Sequence, residues 1–230
     1  MFYGIDYTYI IFVLPALIIA MWASANVNST FNKYKKVGNS RGYTAHEVAR
    51  KILDMNGLYH VKIERVAGHL SDHFDPRTNI VRLSDSTYDS TSVAALGVAA
   101  HEVGHALQHA TAYIPIKVRN AIVPVVQISS YAAFPLAILG IIFANELMIV
   151  TGIVLFIAVV LFQIITLPVE FNASHRAIKT LGGEAILDGD ELIGAKKVLT
   201  AAALTYVASV AVAIANLLRL LVLAGGRNRD

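Results

Sequence analysis

The sequence predicts a mainly α-helical integral membrane protein with about four transmembrane helices and a small α+β lobe that contains a short sheet. Two observations support this fold class. First, 56% of the 230 residues are hydrophobic and the mean hydropathy is +0.57, values typical of membrane proteins. Second, the charged residues, 15% of the chain, cluster between the apolar stretches. We therefore expect a membrane-embedded unit with one polar lobe.

Apolar stretches of bilayer length divide the chain into five parts. We predict a first transmembrane helix at residues 8–25 and a polar lobe at 26–119. A transmembrane hairpin of two helices follows at 120–169. Residues 170–198 form a second polar segment that includes a short helix, and residues 199–224 form the fourth transmembrane helix.

The first span could also be a cleaved signal peptide, because Ala23-Ser24-Ala25 resembles a cleavage site. Signal peptides begin with basic residues, and the residues before this span include Asp6 but no Lys or Arg. We therefore expect a membrane anchor.

The distribution of basic residues predicts the orientation of the chain. Sixteen of the 19 Lys and Arg residues fall in the two polar segments, which the positive-inside rule places in the cytoplasm. The net charge of +3 comes without a long basic run, so we expect no nucleic-acid partner. Because the chain has no cysteine, any metal site must use His, Asp or Glu.

The first polar segment has signals for both helix and strand. Thr44 and Glu47 form a capping-box pattern ahead of an amphipathic helix. Residues 58–66 alternate enough to predict a strand, and Ile80 to Leu83 predict a second short strand.

The strongest chemical signal lies within residues 93–110, VAALGVAAHEVGHALQHA. His101 and His105 are four residues apart, so on a helix both imidazoles face the same side and can bind one metal ion. Glu102 reaches beside that ion, where a carboxylate can act as a base on a water molecule. The apolar flanks predict a buried helix, in which such polar groups need a partner.

Other residues could complete or replace this site. His109 continues the series, but three histidines along one straight helix cannot surround a tetrahedral ion. A polar loop could bind a metal by itself, although its spacing favours a solvated loop; its candidate ligands are His69, Asp72, His73 and Asp75. Glu170, after the hairpin, either closes the site or marks the end of a span.

Several segments resemble the YugP-type membrane zinc metallopeptidases over nearly the whole chain. They are AAHEVGHALQHA and LPVEFNASHRA, on either side of the hairpin, with GHLSDHFDPRTNIVRLS upstream and GAKKVLTAAALTYVA downstream. The chain is more distantly similar to the HtpX-like and CAAX prenyl protease families. In those families an E-F-x-A-D stretch follows the hairpin, and Ser174 here replaces its Asp.

The resemblance implies a zincin-like lobe and zinc-dependent endopeptidase activity, with one Zn²⁺ per chain bound by His101, His105 and Glu170. Glu102 would be the catalytic base. As contacts for an oxyanion or substrate we nominate His175, Arg176 and Tyr206. By analogy with related zincins, an edge strand would bind an extended substrate; its residues would be Ile80, Val81, Arg82 and Leu83.

These expectations extend to partners. We expect a protein or peptide substrate and membrane lipid around the spans, and the chain could form an oligomer or bind a regulatory membrane partner. The site would lie on the cytoplasmic face of a multi-pass cell-membrane protein. The competing hypothesis is a non-catalytic zinc-binding membrane scaffold or assembly partner.

Overall fold

A computed structural model describes residues 7–226 and confirms the predicted fold class. Within this range, six α-helices and three strands follow one another along the chain. Their bounds, in order, are α1 Leu14–Tyr34, α2 Ala45–Met55, β1 Lys62–Val66, β2 His73–Asp75, β3 Ile80–Ser84, α3 Val93–Ala110, α4 Ile114–Ile142, α5 Glu146–Gly183 and α6 Gly189–Gly225. A π-helical segment, Tyr9–Val13, leads into α1.

Four helical stretches are long and apolar enough to cross a membrane, with mean hydropathies of 1.9 to 2.9. They are Tyr9–Tyr34, Ile114–Ile142, Glu146–Gly183 and Gly189–Gly225. Each one continues beyond its predicted apolar span. In particular, α5 does not end at residue 169 but runs through Glu170. Likewise, the short helix expected before the fourth span is the first part of α6.

The chain forms two compact units. The first contains the described parts of residues 1–24, 118–167 and 205–230, and therefore most of the apolar helical surface. In this unit α4 and α5 pack closely against each other. A side chain at Gly152 of α5 would lie 2.5 Å from the backbone N of Ala137 in α4, so a glycine is needed for this close approach.

The second unit contains residues 25–117 and 168–204 and has a continuous hydrophobic core. The apolar face of α2 packs in this core with the sheet and α3, as the period of its sequence predicts. The residues of this core that are shielded completely from solvent include Val48, Leu53, Val81, Leu83, Leu96, Val103, Leu181 and Leu187. The start of α2 has the predicted capping box, in which the Thr44 N–H donates to Glu47.

The sheet corrects one prediction. Its strand order is β1–β3–β2, with β3 parallel to β1 and antiparallel to β2. The predicted substrate-binding strand, Ile80 to Leu83, is therefore the central strand and not an edge strand. Both of its edges are paired, so it has no free edge for a peptide. The sequence prediction missed β2, whose three residues are too few for a recognisable alternation.

Candidate metal centre

Helix α3 brings His101 and His105 onto one face. The helix begins at Val93, where the hydroxyl of Ser92 accepts a hydrogen bond from the Ala95 N–H at 3.2 Å. The two Nε2 atoms lie 3.1 Å apart, and the rings meet edge to face. The local spacing of the motif thus produces the expected pair of ligands.

Glu170 of α5 completes a cluster of three ligand atoms. Its Oε2 lies 3.3 Å from His101 Nε2 and 3.6 Å from His105 Nε2. The Glu170 residue is only 4% exposed, so this carboxylate lies in the protein interior. Among the residues that the structure describes, these three form the group that could hold a metal ion.

The spacing of the three atoms fits a tetrahedral zinc ion. Bonds of about 2.0–2.1 Å in tetrahedral geometry hold neighbouring ligand atoms about 3.3 Å apart. The observed separations of 3.1, 3.3 and 3.6 Å are close to this value. Two imidazoles and one carboxylate also form a ligand set that is known in catalytic zinc sites. The residues therefore fit zinc without a large rearrangement.

The outer nitrogens of both histidines have hydrogen-bond partners. His101 Nδ1 lies 3.1 Å from the hydroxyl of Ser174, and His105 Nδ1 lies 3.0 Å from Oε1 of Gln108. Such partners orient imidazole ligands and select the tautomer whose Nε2 is free to bind a metal. Ser174 is thus the partner of one candidate ligand, and Gln108, the partner of the other, is a residue that the sequence analysis did not identify.

The close approach of α3 and α5 depends on Gly104, inside the motif. A Cβ atom at this position would lie 2.8 Å from the carbonyl oxygen of Ala173, closer than real Cβ contacts allow. The glycine therefore lets the two helix backbones touch. This contact brings the histidines of one helix within reach of Glu170 on the other.

Glu102 lies beside the three ligands and contacts the sheet. Its Oε2 accepts a hydrogen bond of 3.1 Å from the backbone N–H of Phe74 in β2. The pairing of β2 with β3 places this strand at an edge of the sheet. The edge strand next to the site is therefore β2, and Phe74 is a second residue that the sequence analysis did not identify.

The carboxylates make the centre attractive to a cation. Burial lowers the pKa of His105, but the hydrogen bond to Glu170 and the charges of Glu102 and Glu170 outweigh this effect and raise the pKa above its ordinary value. The same negative charges that favour a proton on the imidazole also favour a divalent metal ion in its place.

The nominated oxyanion and substrate contacts stay predictions. His175 is exposed and lines a cavity of about 390 Å³ together with Lys179 and Lys196. The Nε of Arg176 donates to Asn172 at 2.9 Å, which holds the guanidinium along α5. Tyr206 is on α6, in the compact unit that does not contain the ligands.

The alternative loop ligands have structural roles instead. Asp72 accepts hydrogen bonds from the N–H and hydroxyl of Ser84, at 2.8 and 2.9 Å. His73 Nδ1 lies 2.9 Å from the carbonyl of Ser71. The ring of His69 packs edge-on to Phe31. In residues 7–226 the loop does not form a metal-binding group.

His109 is also outside the metal cluster, as the geometry of a straight helix predicts. It is exposed, and its ring centroid lies 6.0 Å from that of Phe74. Within the described part of the chain, its nitrogens do not join those of His101 and His105.

Comparisons with known proteins identify the family of the chain. The model of a family described as "Putative neutral zinc metallopeptidase" matches residues 9–225. The chain is 46% identical over 223 residues to a Bacillus subtilis (strain 168) protein named "Putative membrane protease YugP", covering 96% of this chain and 99% of the relative. No solved structure matches the chain. Because the family model spans nearly the whole sequence, the chain belongs to this family.

Proposed function

We propose that the protein is a membrane-embedded zinc metalloendopeptidase with one zinc ion per chain. His101, His105 and Glu170 hold the metal, and Glu102 is the general base. The observation that carries this proposal is the convergence of three ligand atoms, 3.1 to 3.6 Å apart, next to a fourth side chain that can accept a proton.

Zinc, when bound, supplies Lewis acidity that polarises a peptide carbonyl and makes water a stronger acid. Glu102 accepts a proton from water as the water oxygen forms a bond to the carbonyl carbon. The same carboxylic acid then returns the proton to the amine nitrogen as the C–N bond breaks. Glu102 is thereby regenerated, and the products are a carboxylic acid and an amine.

The contact between Glu102 and Phe74 supports different tasks for the two carboxylate oxygens. Oε2 accepts the backbone hydrogen bond, and we infer that Oε1 carries the proton. A hydrogen bond from a backbone amide favours the ionised carboxylate and fixes its rotamer. Glu102 therefore approaches the water from a defined direction.

The number of protein ligands favours catalysis over a structural role. Structural zinc sites are usually closed by four protein ligands, whereas catalytic sites use three and leave a position for water or substrate. In the described residues the metal-binding group has three members. The proposal of a non-catalytic scaffold would need a fourth ligand from elsewhere.

The substrate class follows from the surroundings of the site. The ligand-bearing α5 is one of four helices that could cross a membrane, and most basic residues fall in the segments that also contain the ligands. We therefore place the site at the cytoplasmic face, where membrane proteins or apolar peptides would be cut. An oligomer or a regulatory membrane partner is compatible with this arrangement.

The test is metal-dependent cleavage by purified protein in detergent or lipid, with casein and a membrane-spanning peptide as substrates. We expect about one zinc per chain. Chelation should abolish cleavage, and added zinc should restore it. Zinc-loaded protein that cuts neither substrate, while a known membrane protease cuts both under the same conditions, would favour the scaffold.

A further inference from the structure

Gln108 is a polar side chain that the proposed chemistry does not use, although it is completely buried. It follows His105 on α3 by three residues and contacts both ligand-bearing helices. Its Oε1 lies 3.0 Å from His105 Nδ1. Its Nε2 donates to the carbonyl of Val169 at 2.7 Å and to Oδ1 of Asn172 at 3.0 Å.

These contacts fix the orientation of the amide. The Val169 carbonyl can only accept a hydrogen bond, so the atom of Gln108 that faces it must be the nitrogen. Consequently the oxygen faces His105, and a hydrogen bond at this position requires a proton on Nδ1. His105 is then the tautomer whose Nε2 lone pair points toward His101 and Glu170.

The same amide also supports the third ligand. Val169 and Asn172 lie on either side of Glu170 in α5, so the two donated hydrogen bonds hold the backbone and a side chain next to this carboxylate. Asn172 Oδ1 in addition accepts from Arg176 Nε, which keeps its oxygen turned toward the amide of Gln108. The Gln108 side chain thus couples the position of Glu170 to the choice of tautomer at His105.

We propose that Gln108 is a positioning residue for the metal centre, which selects the His105 tautomer and braces α5 at Glu170. The inference rests on the proposed zinc site and adds a determinant of its affinity. Outer partners of this kind typically change metal affinity by about 10–100-fold. A structural role alone would change stability and leave affinity unaltered.

The test measures the zinc dissociation constant by competition with a chromophoric chelator, using the full-length protein. Gln108→Met keeps the length of the side chain but removes its polar groups, and we expect affinity to fall by about 10–100-fold. Gln108→Glu keeps the length of the side chain and retains an acceptor for His105. It should therefore lose less affinity than Gln108→Met.

Thr87→Val is the matched control, because Thr87 is equally buried and hydrogen-bonded within the same compact unit but does not contact a ligand. It should lower thermal stability and leave zinc affinity unchanged. Wild-type affinity in Gln108→Met would overturn the inference while leaving the zinc site intact. Failure of the wild-type protein to bind zinc would instead contradict the proposed function.

A measurement on the unaltered protein covers the case in which Gln108→Met does not fold. Imidazole ¹⁵N spectra of the zinc-loaded wild-type chain should show His105 with a protonated Nδ1 and a metal-bound Nε2. Coordination through Nδ1, or a His105 that is not protonated at Nδ1, would overturn the assignment.

Discussion

The backbone N–H of Phe74 donates a 3.1 Å hydrogen bond to Glu102 Oε2, across 28 residues of sequence. The contact joins the short edge strand β2 to α3, the helix that carries the two candidate histidine ligands. Strand β2, in a segment that the sequence analysis interpreted as a polar loop, therefore lies next to the candidate active site. The orientation of the Glu102 carboxylate depends on a main-chain group, which a sequence motif does not reveal.

Replacement of Phe74 tests this contact. Phe74→Pro and Phe74→Ala both remove the aromatic ring, but only Pro removes the N–H. Because hydrogen bonds to charged groups contribute about 1.5–3 kcal/mol, we expect kcat/KM of Phe74→Pro to be about tenfold or more below that of Phe74→Ala. Zinc content should be equal in the two variants. Equal activity would show that the N–H does not orient Glu102.

Removal of Glu170 should release the metal. Glu170→Ala leaves two imidazole ligands, and we expect zinc affinity to fall by more than about 100-fold, beyond the usual effect of losing an outer partner. Glu184→Ala, which removes an exposed carboxylate just after α5, is the control and should bind zinc like the wild type. Metal analysis after dialysis gives the result. Retention of zinc by Glu170→Ala would exclude this residue as a ligand.

The close contact at Gly104 predicts that even one methyl group disturbs the site. In Gly104→Ala the new Cβ meets the Ala173 carbonyl, so the helices must separate, at a cost of about 1–3 kcal/mol in stability. Zinc affinity should fall as well, because Glu170 moves away from both histidines. Gly97→Ala, on the same helix, places its Cβ at an ordinary distance of 3.4 Å from Ala195 and should be tolerated. Thermal unfolding and zinc titration of the pair measure both effects.

The sequence predicts those features of the fold and site that depend on residues close together in the chain. His101 and His105 could be placed because one helical turn joins them, and the four apolar helices because composition identifies them. Glu170 needed the family resemblance, since its distance to the histidines depends on how two helices pack. The order of the sheet strands could not be derived, because β2 is short and its pairing is a tertiary property.

Gln108 and Gly104 illustrate the same limit. A glutamine in an apolar helix and a glycine inside a motif look unremarkable in sequence, and their roles arise from contacts with α5. The spacing of Gln108 three residues after His105 is the one signal that could have indicated it, because such neighbours share a helix face. The contacts of Gln108 with Val169 and Asn172 on α5 could not be inferred from sequence.

The turn around Asp75 predicts a pH effect on stability. The backbone N–H of Arg77, aided by Thr78 and Arg82, lowers the pKa of Asp75 from 3.8 to about 2. Because the pKa of Asp75 is lower in the folded than in the unfolded protein, its ionised carboxylate stabilises the fold at pH values above the unfolded-state pKa. This contribution disappears as the pH falls from about 4 to about 2. Asp75→Asn lacks this titration. The difference in stability between the wild type and Asp75→Asn should therefore shrink as the pH falls over the same range.

This experiment compares melting temperatures from pH 5 to about 2 in the presence of a chelator, so that release of metal does not contribute. Asp85→Asn, which removes an exposed carboxylate of the same lobe, is the control substitution. A constant difference between wild type and Asp75→Asn across the acid range would contradict the assignment.

The most direct measurement compares peptide cleavage by zinc-loaded wild type and Glu102→Gln. The amide oxygen of glutamine can still accept from the Phe74 N–H, so the fold and the metal site should remain intact. We expect full zinc content and a loss of about 10²–10⁴-fold in kcat/KM, since the proton acceptor is gone. Cleavage by zinc-loaded Glu102→Gln at the wild-type rate would show that Glu102 is not the base and would contradict the proposed mechanism.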